Sequence, residues 1–182
     1  MEITFIIITI YFILSIVFQV KHFVADYPLQ NEYMLGKFKG GWDWVKPLAA
    51  HCGVHGLMTL AILTLLCPWL SWGMILFLSV LDMVIHFGMD RIKASPNLLG
   101  KYESLDKTCF KGVYAFAKGD FKSMKVDDMF TDAEKQEKIA WGQNRLKENK
   151  YFWWSLGIDQ GIHHLTHELI VYIAILMLIV GI

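Results

Sequence analysis

The chain has 182 residues, a formal net charge of zero, 55% hydrophobic residues and a mean hydropathy of +0.40. Soluble domains of this length are usually less apolar, so the composition indicates an integral membrane protein. The neutral charge balance argues against nucleic-acid binding, which needs a basic surface. We therefore expect the lipid bilayer as a partner of this chain, and no nucleic acid.

Four apolar stretches follow one another along the chain, and each is long enough to cross a hydrocarbon core of about 30 Å. They cover residues 3–25, 45–66, 70–87 and 152–182. Only a Cys-Pro-Trp segment separates the second stretch from the third, which predicts a tight hairpin. We predict an all-α fold, in which a single membrane domain forms a bundle of four transmembrane helices.

The charged residues are concentrated in the first loop and in a long insertion, residues 91–150, between the third and fourth spans. Within this insertion, Thr131 and Glu134 form a capping-box pattern that predicts a helix through about Lys147. Lys and Arg favour the cytoplasmic side of a membrane. We therefore expect both loops in the cytoplasm and both termini on the periplasmic side of a bacterial inner membrane.

The spans carry polar residues four positions apart, and residues with this spacing share one face of a helix. Each span can therefore direct a stripe of imidazoles and carboxylates into the bundle. A rise of about 1.5 Å per residue places the histidines within roughly the cytoplasmic third of the membrane, in one layer. The stripe residues are His22, Asp26, His51, His55, Asp82, His86, Asp90, Asp159, His163 and His167.

These ten ionisable groups need compensation, because burying one in a bilayer costs about 2.5–3.5 kcal/mol. A divalent metal supplies it, since imidazole together with carboxylate suits Zn, our first choice, or Mn or Fe. Ten candidate ligands exceed the roughly four to six that one ion takes, so we predict one or two ions. The alternative is that the stripes form interhelical hydrogen bonds without any metal.

Other polar residues near the stripes receive different interpretations. His164 lies about 100° around the helix from His163, so we expect it to pack or to support the site from behind. Pro28 interrupts helix geometry just before Gln30, which argues against Gln30 as a ligand. Lys93 is interpreted as a positive-inside anchor, with contact to an anionic substrate as the alternative.

Four segments carry a resemblance: HFVADYPLQNEYM, AHCGVHG, LDMVIHFGMDRIK and GIDQGIHHLTHE. They resemble an uncharacterised family of bacterial and phage inner-membrane proteins, which is marked by His-x3-Asp-x3-Gln, Asp-x3-His-x3-Asp-x2-Lys and Asp-Gln-x2-His. The resemblance covers all four spans but not the long loop, and it implies a membrane domain of unknown activity. It adds Gln30, Lys93 and Gln160 to the residues of interest, whereas His167 extends the last stripe beyond the family pattern.

Among functions, we favour a metal-dependent hydrolase that acts at the cytoplasmic membrane surface on an ester or phosphoester of a lipid headgroup. A metal lowers the pKa of its bound water toward about 7, and Asp82, Asp90 or Asp159 would serve as ligand or general base. A di-iron oxidase ranks lower, because this chain has only a reversed His163-His164-x-x-His167 box. The histidines also argue against a magnesium-dependent phosphotransferase.

The alternative from another class is a transporter or channel for an ion, a proton or a small solute, because chains of Asp and His also form relays. Four spans suffice for transport if the protein forms a homo-oligomer. Residues 57–66 and 170–182 are almost wholly apolar, however, which leaves no polar exit path. A phage-type structural membrane protein without catalysis is the third hypothesis.

Overall fold

The computed structural model describes residues 2–181, which form five α-helices, three short 3-10 helices and connecting turns, with no β-strand among them. The α-helices are α1 (Glu2–Asp26), α2 (Val45–Leu66), α3 (Trp72–Ala94), α4 (Lys107–Lys118) and α5 (Asp132–Val180). Helices α1, α2, α3 and α5 are long and apolar enough to cross a membrane. The predicted all-α fold with four apolar spans is confirmed. Ile182, the predicted end of the fourth span, lies outside the described residues.

The four spans form a ring in the order α1, α2, α3, α5, because α1 and α3 each pack against both α2 and α5. An apolar core fills the half of the bundle next to the 67–71 hairpin. The outer faces of the helices are also apolar: Phe5 is 71% exposed and Leu65 is 77% exposed. Apolar residues on both the inner and the outer faces are typical of a bundle in lipid.

The hairpin between α2 and α3 is fastened at two points. The Ser71 hydroxyl accepts from the backbone N–H of Met74 and caps α3. The Trp69 indole N–H donates to the backbone oxygen of Ala174 on α5 at 2.8 Å. These bonds hold the apolar end of the bundle closed.

Helix α5 joins two elements that the sequence predicts as separate, the loop helix and the fourth span. Its N-terminus has the predicted capping box, in which the Thr131 and Glu134 side chains each accept from the other residue's backbone N–H. Residues 148–151, between the two predicted elements, contain no proline or glycine, so nothing interrupts the helix. The 49 residues of α5 extend over about 74 Å, far more than a hydrocarbon core requires.

The part of α5 that extends beyond the bundle packs against α4, and residues 107–150 are called the α4–α5 hairpin below. The two helices meet backbone to backbone at Gly142, where an added Cβ would lie 2.7 Å from the Ala117 nitrogen and 2.9 Å from the Val113 oxygen. A cluster of aromatic rings then closes the tip of the hairpin: Phe116, Phe121, Phe130 and Trp141. The predicted partly helical insertion is thus a packed helical hairpin.

Candidate metal centre

The ten predicted stripe residues meet in one polar cluster, at the end of the bundle opposite the 67–71 hairpin. Nine of them are buried, and Asp26 is partly exposed. Direct contacts connect the helices: Asp26 Oδ1 lies 3.0 Å from His55 Nε2, and His51 Nε2 lies 3.2 Å from Asp90 Oδ2. The spacing of four residues therefore did direct the polar face of each span inward.

The imidazoles form a layer around His22, the histidine layer. The ring centroid of His22 lies 5.2–5.6 Å from those of His55, His86, His163, His164 and His167. The rings of His86 and His163 are parallel within 7°, with their centroids 4.0 Å apart. With His51 beside His55, seven histidines of four helices thus lie close together.

Within this layer, His22 and His86 turn unprotonated nitrogens toward each other. His86 Nδ1 lies 3.0 Å from the backbone oxygen of Asp82, which can only accept, so Nδ1 carries the proton. His22 Nε2 lies 3.1 Å from Gln160 Oε1 and 3.3 Å from Asp26 Oδ2, so it carries the proton of that ring. If both rings are neutral, the two remaining nitrogens, His86 Nε2 and His22 Nδ1, face each other at 3.5 Å with lone pairs only, whereas a proton on either nitrogen would make this contact a hydrogen bond.

A cation between these two nitrogens would remove the repulsion of their lone pairs. Two histidines that bind Zn at about 2.0–2.1 Å in tetrahedral geometry have their nitrogens about 3.3–3.4 Å apart. The observed separation of 3.5 Å is close to that distance. His55 completes a group of three histidines whose donor atoms lie within 4.8 Å of one another, although its Nδ1 and Nε2 already face Lys21 and Asp26.

Other buried nitrogens in the cluster also lack partners. Both ring nitrogens of His163 and Nδ1 of His51 have no hydrogen bond within the described residues, although the two rings are 1% and 0% exposed. A buried imidazole normally has at least one partner. Three further groups have the spacing of metal ligands: Asp26, His51 and His55; Asp82, His86 and His167; Asp90, Asp159 and His163. The cluster therefore contains buried His/Asp groups that are able to hold a metal.

Three lysines enter the cluster, and each pairs with one of the carboxylates that the sequence favoured as ligand or base. The pairs are Lys21 with Asp82 at 2.6 Å, Lys37 with Asp90 at 2.8 Å, and Lys93 with Asp159 at 2.6 Å. Among the cluster's carboxylates, Asp26 alone has no lysine within 4 Å in the described part of the chain. Lysine ammonium groups therefore supply part of the compensation that the sequence attributed to a metal.

Sequence reasoning missed two of these lysines as site residues. Lys21 and Lys37 belong to the basic residues in or beside the first loop, for which the sequence indicates only a positive-inside role. A signal existed for Lys21, because it lies inside the first predicted span, immediately before His22. No spacing pattern identifies Lys37, because a 3-10 helix, Met34–Phe38, brings it over the bundle, where its ammonium also donates to Gln30 Oε1 at 3.1 Å.

A small cavity of about 140 Å³ opens onto the cluster at the loop end of the bundle. This rim cavity is lined by side chains that include Asp26, Gln30, Lys37, Asp90, Lys93 and Gln160. It therefore contains the three residues that the family resemblance added. Lys93, interpreted as an anchor, and Gln30, doubted as a ligand, both lie at this entrance.

Toward the opposite end, the cluster is closed by the apolar core. Leu14, Phe18, Leu63, Leu78 and Ile170, all at most 2% exposed, pack together beyond the histidine layer. The site is accessible from the loop end.

Two polar residues of the spans lie at the margin of the cluster. His164, about 100° around α5 from His163, is exposed, and its ring centroid lies 5.6 Å from that of His22. The guanidinium of Arg91 lies over the ring of Trp44, 3.9 Å from its centroid, at the loop end of α3.

Residues 5–117 match a family described as a protein of unknown function, DUF3307. The chain belongs to this family. The DUF3307 match confirms the resemblance to an uncharacterised domain family, but it ends before α5 and so leaves Asp159, Gln160, His163 and His167 outside it. Searches among curated proteins and among solved structures found no match.

Proposed function

We propose that this protein is a metal-dependent hydrolase that acts on a phosphoester of a lipid headgroup at the cytoplasmic surface of a bacterial inner membrane. The facing lone pairs of His22 and His86, 3.5 Å apart in a buried layer of histidines, carry the proposal. Imidazole ligands together with nearby carboxylates favour Zn, with Mn or Fe as alternatives. A metal bound there would lower the pKa of its water toward about 7.

Asp26 is best placed to serve as the general base. Its side chain is 18% exposed, lines the rim cavity and has no lysine partner. The His55 ring donates to Asp26 Oδ1 at 3.0 Å, which fixes the carboxylate beside the histidine layer. Asp82, Asp90 and Asp159 are each neutralised by a lysine, so we assign them to support of the site rather than to proton transfer.

The entrance supports an anionic substrate. Lys37 and Lys93 direct two ammonium groups to the rim cavity, and Gln30 and Gln160 add amide groups. Ammonium groups bind phosphate as point charges, while amides both donate and accept hydrogen bonds. With a volume of only about 140 Å³, the cavity suits a headgroup, and we expect the acyl chains to remain in the bilayer.

The other hypotheses explain less of the geometry. Transport requires a path through the apolar core around Phe18 and Leu63, and both of these side chains are fully buried. A structural role without a metal requires an added proton between His22 and His86, which would place a charged imidazolium in the buried layer.

Elemental analysis of detergent-purified protein without a metal-affinity tag tests the proposal. We expect about one equivalent of metal in the wild type, because the facing pair of histidines defines one position. His22→Ala and His86→Ala should each lose it. Asp43→Asn is the control and should retain the metal, because Asp43 is an exposed carboxylate of the first loop and is not one of the ten cluster residues.

Activity is then measured on phospholipid vesicles and on soluble phosphoesters with the same preparations. Release of a headgroup by wild type and by Asp43→Asn, but not by His22→Ala, would support hydrolysis. A wild-type protein without metal, or a loaded protein that cleaves no phosphoester, would overturn the proposal.

A further inference from the structure

Lys21 is the deepest of the three lysines in the cluster and only 2% exposed. A buried ammonium is costly unless all its protons are bonded. Its three N–H groups have three acceptors: Asp82 Oδ2 at 2.6 Å, His55 Nδ1 at 3.3 Å and His167 Nε2 at 3.2 Å. Lys21 is therefore fully satisfied inside the bundle, and its position does not depend on solvent.

The Lys21 ammonium lies among residues that have the spacing of metal ligands. Asp82, His86 and His167 form one of the four groups of candidate ligands. Metal bound to Asp82 and His167 would lie about 2.0–2.2 Å from each, close to the Lys21 nitrogen that already contacts both residues. A divalent ion beside an ammonium in a poorly polarisable interior is strongly repelled.

Two further bonds of this deep group also form without a metal, although Asp82 Oδ1 and His167 Nδ1 have no hydrogen bond among the described residues. The Thr59 hydroxyl donates to Asp82 Oδ2 at 2.6 Å. His86 Nδ1 carries a proton that it donates to the Asp82 backbone oxygen, so the nitrogen on this side of the ring is occupied. The charges of Lys21 and Asp82 cancel, which leaves no net charge to attract a second cation.

Through His55, Lys21 also influences the histidine layer. Because Lys21 donates to His55 Nδ1, the proton of that ring lies on Nε2, which donates to Asp26 Oδ1 at 3.0 Å. Lys21 is therefore a positioning residue for the carboxylate proposed as the base.

We infer that Lys21 is a built-in cation that takes the place of a second metal ion, so that the protein binds a single metal, at His22 and His86. The inference rests on the proposed metal centre and specifies its stoichiometry. It also explains why ten candidate ligands accompany one ion: the deep group around Asp82 binds an ammonium instead.

The test is the zinc content of purified protein after incubation with zinc chloride and removal of unbound metal. We expect about one equivalent in the wild type and about two in Lys21→Ala, which removes the ammonium and opens space beside Asp82. Lys21→Ala/Asp82→Asn should return to about one equivalent, because the new site loses its carboxylate.

The neutral variant Lys21→Met/Asp82→Asn provides an answer if Lys21→Ala does not fold. It removes both charges of the pair at nearly constant volume, so we expect it to keep the single equivalent. Wild type with two equivalents, of which this double variant loses one, would overturn the inference, as would folded Lys21→Ala with no added zinc.

Failure of the proposed function gives a different pattern. Wild type would then contain no zinc, and the inference would depend on Lys21→Ala: a gain of one equivalent supports the role of Lys21, and no gain overturns it.

Discussion

The carboxylate of Asp26 differs from the other three carboxylates of the cluster in its partners. Its neighbours are the imidazoles of His22, His51 and His55, at 3.0–3.5 Å. The other three carboxylates each contact a lysine ammonium. An imidazole can give up or take a proton near neutral pH, whereas a paired ammonium holds the carboxylate in its charged form. Asp26 therefore has the surroundings that proton transfer requires.

Asp26→Asn should lower the rate of phosphoester cleavage by about 10²–10⁴-fold, the usual contribution of a general base. We expect the metal to be retained, because His22 and His86 are unchanged. Rate and metal content are measured on the same sample. Asp43→Asn, at an exposed carboxylate of the first loop, is the control and should leave both unchanged. Loss of metal in Asp26→Asn would make Asp26 a ligand, and an unchanged rate would exclude it from the chemistry.

The histidines and aspartates of the site could be predicted from sequence because their spacing of four residues is a property of one helix. The lysines could not be placed in the same way. Lys37 reaches Asp90 only because Gly36 lies against Pro47: a Cβ at Gly36 would come within 2.8 Å of the proline ring. Contacts that depend on how a loop folds over a bundle have no periodic pattern in the sequence.

Among the elements, α4 and the N-terminal half of α5 depend on the absence of a side chain at Gly142. Gly142→Ala should separate the helices, because its Cβ would meet the backbone of α4 at 2.7–3.0 Å. We expect a loss of about 1–3 kcal/mol in the stability of the α4–α5 hairpin. Faster amide hydrogen exchange in α4, with unchanged exchange in α2 and α3, is the measurement.

Gly112→Ala is the matched control for this prediction. Gly112 lies in α4, and an added Cβ has no atom within 4 Å. The substitution should stabilise the hairpin by roughly 0.5–1 kcal/mol, since alanine favours a helix more than glycine does. Equal exchange in the two variants would contradict the proposed backbone contact.

Hydropathy identified which helices are apolar enough to cross a membrane, but it did not identify every helix end. The second span was predicted at residues 45–66, and α2 is Val45–Leu66. The third was predicted to end at Phe87, where apolar residues become rare, yet α3 continues to Ala94 with Asp90 and Lys93 inside the cluster. A helix continues past its apolar stretch as long as its backbone and side chains find partners. Those partners belong to other elements, so the sequence of α3 alone does not predict them.

For the molecule as a whole, we propose from the charge distribution that the α4–α5 hairpin lies in the cytoplasm. Cys109, at the start of α4, is exposed, whereas Cys52 and Cys67 are fully buried. A membrane-impermeant maleimide should therefore label inside-out inner-membrane vesicles and should not label intact spheroplasts. Cys109→Ser should abolish the labelling. Labelling of spheroplasts alone would reverse the proposed orientation.

The pH dependence of this labelling provides a further check. A hydrogen bond with the Asp106 carboxylate, together with its negative charge, raises the pKa of the Cys109 thiol above its ordinary value. Since the thiolate is the reactive form, the labelling rate should increase mainly at pH values above about 8.5. Asp106→Asn should shift the whole profile to lower pH. A profile that does not move would show that Asp106 does not act on the thiol.

Because α5 is continuous, it couples the α4–α5 hairpin mechanically to the polar cluster. Asp159, His163 and His167 lie on the same uninterrupted helix as Asp132, and Asp132 is 27 residues, or about 40 Å, from Asp159. A tilt of about 5° at Asp159 moves the tip of such a rod by about 3–4 Å. Conversely, a displacement of the hairpin tip also changes the orientation of the histidines on α5. Movement of the α4–α5 hairpin and movement of the histidines on α5 are therefore coupled.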